Sequence, residues 1–153
     1  MIRFFNRLLP ALAILAALAF PASAETIAET VTQWGLIGPW SLDCALPADH
    51  NKGTILSYEV ADGDNVVHRR DFGDSSDESQ VRSARVSDDG MLHLQVYFPS
   101  VKQTREYGMI KLPDGSVRAI YSRNETNQYS IKDGKFTSSG KPTPVQHKCE
   151  RLE

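Results

Sequence analysis

Ten consecutive residues carry the clearest structural signal in this chain: Asp89-Gly90-Met91-Leu92-His93-Leu94-Gln95-Val96-Tyr97-Phe98. Apolar residues stand at every second position from Leu92 to Phe98, and His93, Gln95 and Tyr97 lie between them. Strict alternation is typical of a strand with one buried face. The preceding Asp-Gly pair is typical of a tight hairpin turn, because it supplies the positive φ angles that such turns need. The stretch therefore predicts a hairpin turn followed by a half-buried strand.

The same combination recurs on both sides of this stretch. Three more Asp-Gly pairs, at 62–63, 114–115 and 133–134, separate short alternating runs. Strands joined in sequence order by short turns form an antiparallel up-and-down meander. We therefore predict an all-β domain of about eight or nine strands, with an exposed acidic loop over 73–79 and a strand over 80–86. Closure into a barrel would remove exposed sheet edges, and a β-sandwich is the alternative.

One segment near the start of the predicted domain has a helical rhythm. Ile27, Val31 and Trp34 share one face of a helix, and Thr26 stands three residues before Glu29, the spacing of a capping box. This pattern predicts a short N-terminal helix that lies across one end of the domain. An unfixed leader segment is the alternative.

Residues 1–24 have the pattern of a secretory signal peptide. Arg3 and Arg7 are followed by an apolar run over 8–20, and Ala22-Ser23-Ala24 fits the small-residue cleavage rule. A retained anchor is the alternative, but the apolar run is shorter than the roughly 20 residues of an ordinary membrane span. We therefore predict cleavage, export to the periplasm or the medium, and no stable membrane insertion.

The remaining residues, 25–153, have the length of a single domain, which we predict to be the β-barrel. Without Arg3 and Arg7, the 15 basic and 19 acidic residues give a net charge of −4. The chain contains no basic block, which argues against nucleic acid and anionic membranes as partners. We expect a monomer.

The two cysteines, Cys44 and Cys149, predict a disulfide, because exported proteins meet an oxidising environment. A metal site or a catalytic thiol is the alternative, but the sequence has no CxxC pair. The four histidines are scattered, so we predict no metal site and no cofactor. The acidic residues over 71–78 fit a solvated loop better than a calcium site.

Five aromatic and basic residues are the candidates for a ligand site: Tyr97, Arg105, Tyr107, Tyr121 and Arg123. Arg105 and Tyr107 share one face of a strand, as do Tyr121 and Arg123, because they differ by two positions. If these faces point inward, they give a cavity with aromatic walls and a cationic end, suited to an anionic amphiphile. If they point outward, they are ordinary surface residues. Tyr97 lies opposite the apolar stripe of its own strand.

The stretch Gly38-Pro39-Trp40 resembles the G-x-W motif of lipocalin-like barrels in the calycin superfamily. The resemblance implies that Trp40 closes one end of the barrel, that a late arginine, Arg118 or Arg123, stacks on it, and that Cys149 ties the tail to the barrel. The chain lacks the T-D-Y motif and the C-terminal helix of that family. The stretches Trp40-Ser41-Leu42-Asp43-Cys44 and Asp133-Gly134-Lys135-Phe136-Thr137 also resemble small exported bacterial proteins of unknown function.

The sequence contains neither a G-x-S-x-G motif nor a Ser-x-x-Lys motif, so we expect no enzymatic activity. We expect an exported binding protein that holds a small hydrophobic or amphipathic ligand inside the barrel. The alternative is a module that acts through its surface, such as an inhibitor or an envelope-assembly factor, with an envelope protein as its partner and a filled interior.

Overall fold

A computed structural model describes residues 25–150 of the chain. The predicted signal peptide, residues 1–24, lies outside the described residues. One helix and ten strands follow one another: α1 (Ile27–Trp34), β1 (Gly38–Ser41), β2 (Ile55–Val60), β3 (Val66–Asp71), β4 (Ser76–Val86), β5 (Leu92–Phe98), β6 (Gln103–Lys111), β7 (Val117–Asn124), β8 (Tyr129–Lys132), β9 (Lys135–Phe136) and β10 (His147–Lys148).

The strands form one antiparallel meander, in which β1 to β9 pair in sequence order and β10 pairs with β1. The sheet curls into a half-barrel with one short helix. The predicted all-β meander is confirmed. The structure has one strand more than the prediction because two residues of the tail, His147 and Lys148, pair with Ser41 and Trp40.

The predicted helix is confirmed together with its capping box. The Thr26 side chain accepts a hydrogen bond from the Glu29 backbone, and the Glu29 side chain accepts one from the Thr26 backbone. These bonds satisfy amide groups that have no partner within the first helical turn. Gly35 ends the helix with φ of +87°, a conformation that favours glycine.

The predicted loop over 73–79 is wrong in its second half, because β4 begins at Ser76. The turn is shorter, and Asp77 and Glu78 lie within the strand. Asp77 stands directly opposite Arg70, and Glu78 opposite Arg69, with an ion pair across each position. Cross-strand pairs of opposite charge stabilise such a hairpin and extend it beyond the apolar part of the pattern.

The end of the half-barrel that α1 covers is filled by large apolar side chains, and we call it the helix end. Val31, Leu36 and Trp40 are buried there, together with the first residues of β5. The indole N–H of Trp34 donates to the Gly90 carbonyl at 3.0 Å, and that of Trp40 donates to the Leu36 carbonyl at 2.7 Å. Both tryptophans therefore combine a buried ring with a satisfied polar atom.

The C-terminal tail runs along the open side of the sheet. Val117 at the start of β7 exchanges two backbone hydrogen bonds with Gln146, and the Cys149 amide donates to the Pro39 carbonyl. Cys44 and Cys149 lie at disulfide-bonding distance, with Cα atoms 5.4 Å apart, as predicted. Within residues 25–150, no helix is both long enough and apolar enough to cross a membrane.

Candidate functional site

The concave face of the sheet holds a partly open cavity of about 190 Å³. Its walls come from β2, β3, the strands from β5 to β9 and the tail, and they are mainly apolar and aromatic. The residues that give it chemical character are Tyr58, His68, Arg70, Phe98, Tyr107 and Arg118. A concave, mainly apolar space with a few polar groups is the usual form of a small-molecule site.

His68 and Thr143 are buried polar residues in this wall, and His68 is the titratable one. It is 6% exposed, its ring stacks on Tyr58 with centroids 4.5 Å apart, and the edge of Phe98 faces it. Its Nδ1 atom makes no hydrogen bond within the described structure. Burial, together with the nearby charge of Arg70, lowers the pKa of His68 to about 4, so the ring is neutral at pH 7.

Arg70 brings a charge to the cavity, but Asp77 balances it. The Nε of Arg70 donates to Asp77 Oδ1 at 2.8 Å, and Nη2 pairs with Oδ2. The guanidinium also lies 5.0 Å from the ring centroid of Phe98. Hydrogen bonds from Arg70 lower the pKa of Asp77, so the carboxylate stays ionised at neutral pH. The charges of Arg70 and Asp77 therefore cancel, and this pair adds no net charge to the cavity wall.

The two tyrosines of the wall are also uncharged. Tyr58 is 6% exposed, and its burial raises the pKa of its hydroxyl. Burial likewise raises the pKa of Tyr107. At neutral pH the cavity thus presents aromatic faces, a neutral imidazole and Arg70 paired with Asp77. Arg118 also lines the cavity, and its guanidinium donates to the Thr143 hydroxyl and the Gly134 carbonyl rather than to a carboxylate.

The five candidate residues of the sequence do not lie on one face of the sheet. Tyr107 lines the cavity. Arg105, two positions before it on β6, donates to the Ser130 hydroxyl at 2.9 Å. Tyr97 lies on the outer face, where Arg82 stacks on its ring.

Tyr121 and Arg123 also lie on the outer face, around Glu106. Arg123 donates twice to Glu106 Oε2, and the Tyr121 hydroxyl donates to Oε1 at 2.8 Å and contacts His93 Nδ1. Burial opposes ionisation of Glu106, but the hydrogen bonds from Arg123 and Tyr121 outweigh it and lower its pKa. This cluster satisfies its own polar atoms and lies apart from the cavity.

The cation above Trp40 is Lys148, not an arginine. Its Nζ lies 5.6 Å from the ring centroid and donates to the Gly35 carbonyl at 3.0 Å. The two arginines named from the resemblance bind elsewhere: Arg118 contacts Gly134 and Thr143, and Arg123 contacts Glu106. The tail supplies the cation because its pairing with β1 places Lys148 opposite Trp40.

His68 and Arg70 are not among the five candidate residues, although the sequence carries a signal for both. They follow the buried Val66 at steps of two on β3, so the same face of the strand carries all three residues. A polar residue on an apolar face of a strand is a candidate for a site rather than for the surface.

The part of the chain that the structure describes contains no group of three or more residues that could hold a metal ion. The half-barrel is compatible with a lipocalin-like fold. No family model, curated protein or solved structure matches the chain.

Proposed function

We propose that this protein is an exported, non-enzymatic binding protein that holds a small hydrophobic ligand within the half-barrel. The observation that carries the proposal is the cavity of about 190 Å³ on the concave face, with apolar and aromatic walls. Small-molecule sites are usually concave and mainly apolar, with a few polar groups that fix the orientation of the ligand.

The position of the cavity also supports a carrier. The helix end is filled by α1 and Trp40, so the route to the cavity runs from the other side. We propose that β9 and the tail complete a barrel around the ligand. The tail contributes Thr143, Pro144 and Gln146 to the wall, and its Gln146 bonds to β7 while its Lys148 pairs with β1.

Export is part of the proposal. The Cys44–Cys149 pair fits an oxidising compartment, where disulfides persist. The protein would then meet its ligand in the periplasm or outside the cell and would act as a monomer.

Toluene binding tests the proposed function directly, because toluene is apolar, uncharged and close in size to the cavity. We expect saturable chemical-shift changes in two-dimensional amide NMR spectra, confined to cavity residues such as Tyr58, Val96 and Met109. A variant with Leu46→Ser on the outer surface should give the same changes. Toluene that binds without saturation, or equally at the outer surface, would refute a ligand-binding cavity.

A second candidate function is a module that acts through its surface, and a groove beside the disulfide favours it. Leu46 and Val60 are each 45% exposed there, and Ile37 and Ile55 line the same groove. Exposed apolar clusters are typical of contact sites for other proteins. The occupant would be an apolar segment of an envelope protein.

Native mass spectrometry of the protein isolated from its own host separates the two functions. A small added mass supports the carrier. An added polypeptide mass that disappears with Leu46→Asp, in a protein that does not bind toluene, supports the surface module.

A further inference from the structure

We infer that the cavity is selective for a small single-ring compound with one hydroxyl group, which forms a hydrogen bond with His68. This inference rests on the proposed function and defines its ligand class. It draws on the size of the cavity, the buried and unpartnered nitrogen of His68, and the aromatic rings around it.

The size of the cavity limits the ligand to about one ring. An apolar protein cavity of about 150 Å³ is known to hold benzene. The space here, about 190 Å³, is larger by little more than a substituent on such a ring. It is also smaller than the roughly 300–1,000 Å³ of ordinary drug-sized sites. The space between the walls therefore holds about one ring.

The requirement for a hydroxyl group on the ligand comes from His68. The residue is more than nine-tenths buried in the cavity wall, and its Nδ1 atom has no hydrogen-bond partner in the described structure. A buried polar atom without a partner is unfavourable, so a ligand that supplies one gains affinity. A hydroxyl group suits either tautomer of a neutral imidazole, because it can both donate and accept a hydrogen bond.

The aromatic surroundings of His68 favour an aromatic ligand. Tyr58 stacks on one side of the imidazole, and Phe98 presents its edge with centroids 6.4 Å apart. Phe98 also meets Tyr107 in an edge-on contact. Flat walls at these angles suit a flat ring, which can join the same stacked and edge-to-face arrangement.

Two probes of matched shape test the inference: toluene and p-cresol, each titrated at pH 7 and followed by amide NMR. We expect p-cresol to bind about 2- to 12-fold more tightly than toluene, the range that one net hydrogen bond supplies. This comparison uses the wild-type protein, so it does not depend on the folding of any variant.

The variant His68→Phe identifies the hydrogen-bonding group. Phenylalanine keeps a ring that can stack on Tyr58 but has no nitrogen, so the preference for p-cresol over toluene should disappear. The matched control is His50→Phe, the same change at an exposed histidine that stacks on Phe72 outside the cavity. The control should retain the preference.

The outcomes separate the inference from the proposed function. Equal affinity for toluene and p-cresol in the wild type would overturn the role of His68 and leave the cavity as a binding site. Failure of both probes to bind would overturn the proposed function itself.

Discussion

The helix end and the cavity are two parts of the same interior, but they are packed in different ways. At the helix end, Leu36 and Trp40 are buried, and the indole nitrogens of Trp34 and Trp40 each donate to a backbone carbonyl. The cavity retains about 190 Å³ of space and leaves Nδ1 of His68 without a partner. Each of these two features lowers stability.

The contrast shows that the helix end contributes packing stability, whereas the cavity retains space. A core that is densely packed at one end can tolerate an unfavourable space elsewhere, provided the total stability stays sufficient. If the two parts are separate in function, changes at the helix end should alter stability without altering affinity. Changes around the cavity should alter affinity.

Trp40→Ala should give the largest effect on stability. Removal of a buried aromatic ring leaves a space in a filled region and costs about 3–5 kcal/mol. Urea unfolding should show this loss, and the affinity of the folded fraction for toluene should stay unchanged. Tyr129→Ala, at an exposed tyrosine, is the control and should cost less than about 1 kcal/mol. A loss of toluene affinity with Trp40→Ala would break the proposed separation.

Replacement of both cysteines by serine should lower stability by about 2–4 kcal/mol, because the crosslink restricts the unfolded chain. This change should also weaken toluene binding, since Cys149 anchors the tail whose Pro144 and Gln146 line the cavity. Urea unfolding and NMR titration measure the two effects. Stability that falls while toluene affinity stays the same would show that the tail is not a necessary wall.

The pH dependence of stability should contain a contribution from His68. Its pKa is about 4 in the folded protein and about 6.5 in the unfolded chain, so the unfolded state binds more protons between these values. The contribution is fully present above pH 6.5 and is lost as the pH falls to 4, by at most about 3 kcal/mol. Urea unfolding at several pH values should show the loss in the wild type and not in His68→Phe.

The groups that face His68 do not obscure this measurement. Arg70, Tyr58 and Tyr107 keep one charge state across this pH range. Asp77, which Arg70 holds at a lowered pKa, titrates in the wild type and in the variant alike. The difference between the two proteins therefore isolates His68, and identical pH curves would contradict its burial as a neutral ring.

The smallest effect on stability is expected from Ala119→Leu, which places a larger side chain in the cavity wall. The free energy of unfolding should change by less than about 1 kcal/mol because space is present, while toluene binding should disappear. The same change at Ala84, which packs against the filled core opposite Leu94, should cost about 1–3 kcal/mol by overpacking. Equal costs at the two positions would show that the two regions are packed alike.

The features that the sequence predicts correctly depend on neighbouring residues. The capping box of α1 needs only Thr26 and Glu29, and each Asp-Gly turn needs only its own residues. The alternation over Leu92–Phe98 identifies the inner face of β5, because the large apolar residues are all on one side. The disulfide is predicted from composition alone.

The candidate site was harder to predict because the face of a strand changes at a bulge. The register between β6 and β7 shifts at Gly108 and Met109, so counting by two from Tyr107 along β6 does not assign the faces of β7. Tyr121 consequently packs over Gly108 on the outer face, where a Cβ atom on that glycine would lie 2.1 Å from the Tyr121 ring. Only the cross-strand register shows that Tyr107 faces the cavity whereas Tyr121 lies on the outer face.

The partners of charged residues were also hidden from the sequence. The acidic residues after Gly73 have the composition of a solvated loop, yet Asp77 and Glu78 extend β4 because Arg70 and Arg69 stand opposite them. That pairing depends on the length of the turn between β3 and β4. The sequence thus shows the charged residues, but it does not show that Asp77 pairs with Arg70 in the cavity wall.

The link between Cys44 and Cys149 makes residues 44–149 a covalent ring. A single protease cut in the exposed segment 99–102 would open this ring without dividing the molecule. The nicked protein should migrate as one species until a reductant separates the two pieces. The two pieces would stay together in the sheet because the disulfide joins the first strand to the tail. Exposed tips of this kind are also where a chain best tolerates a break.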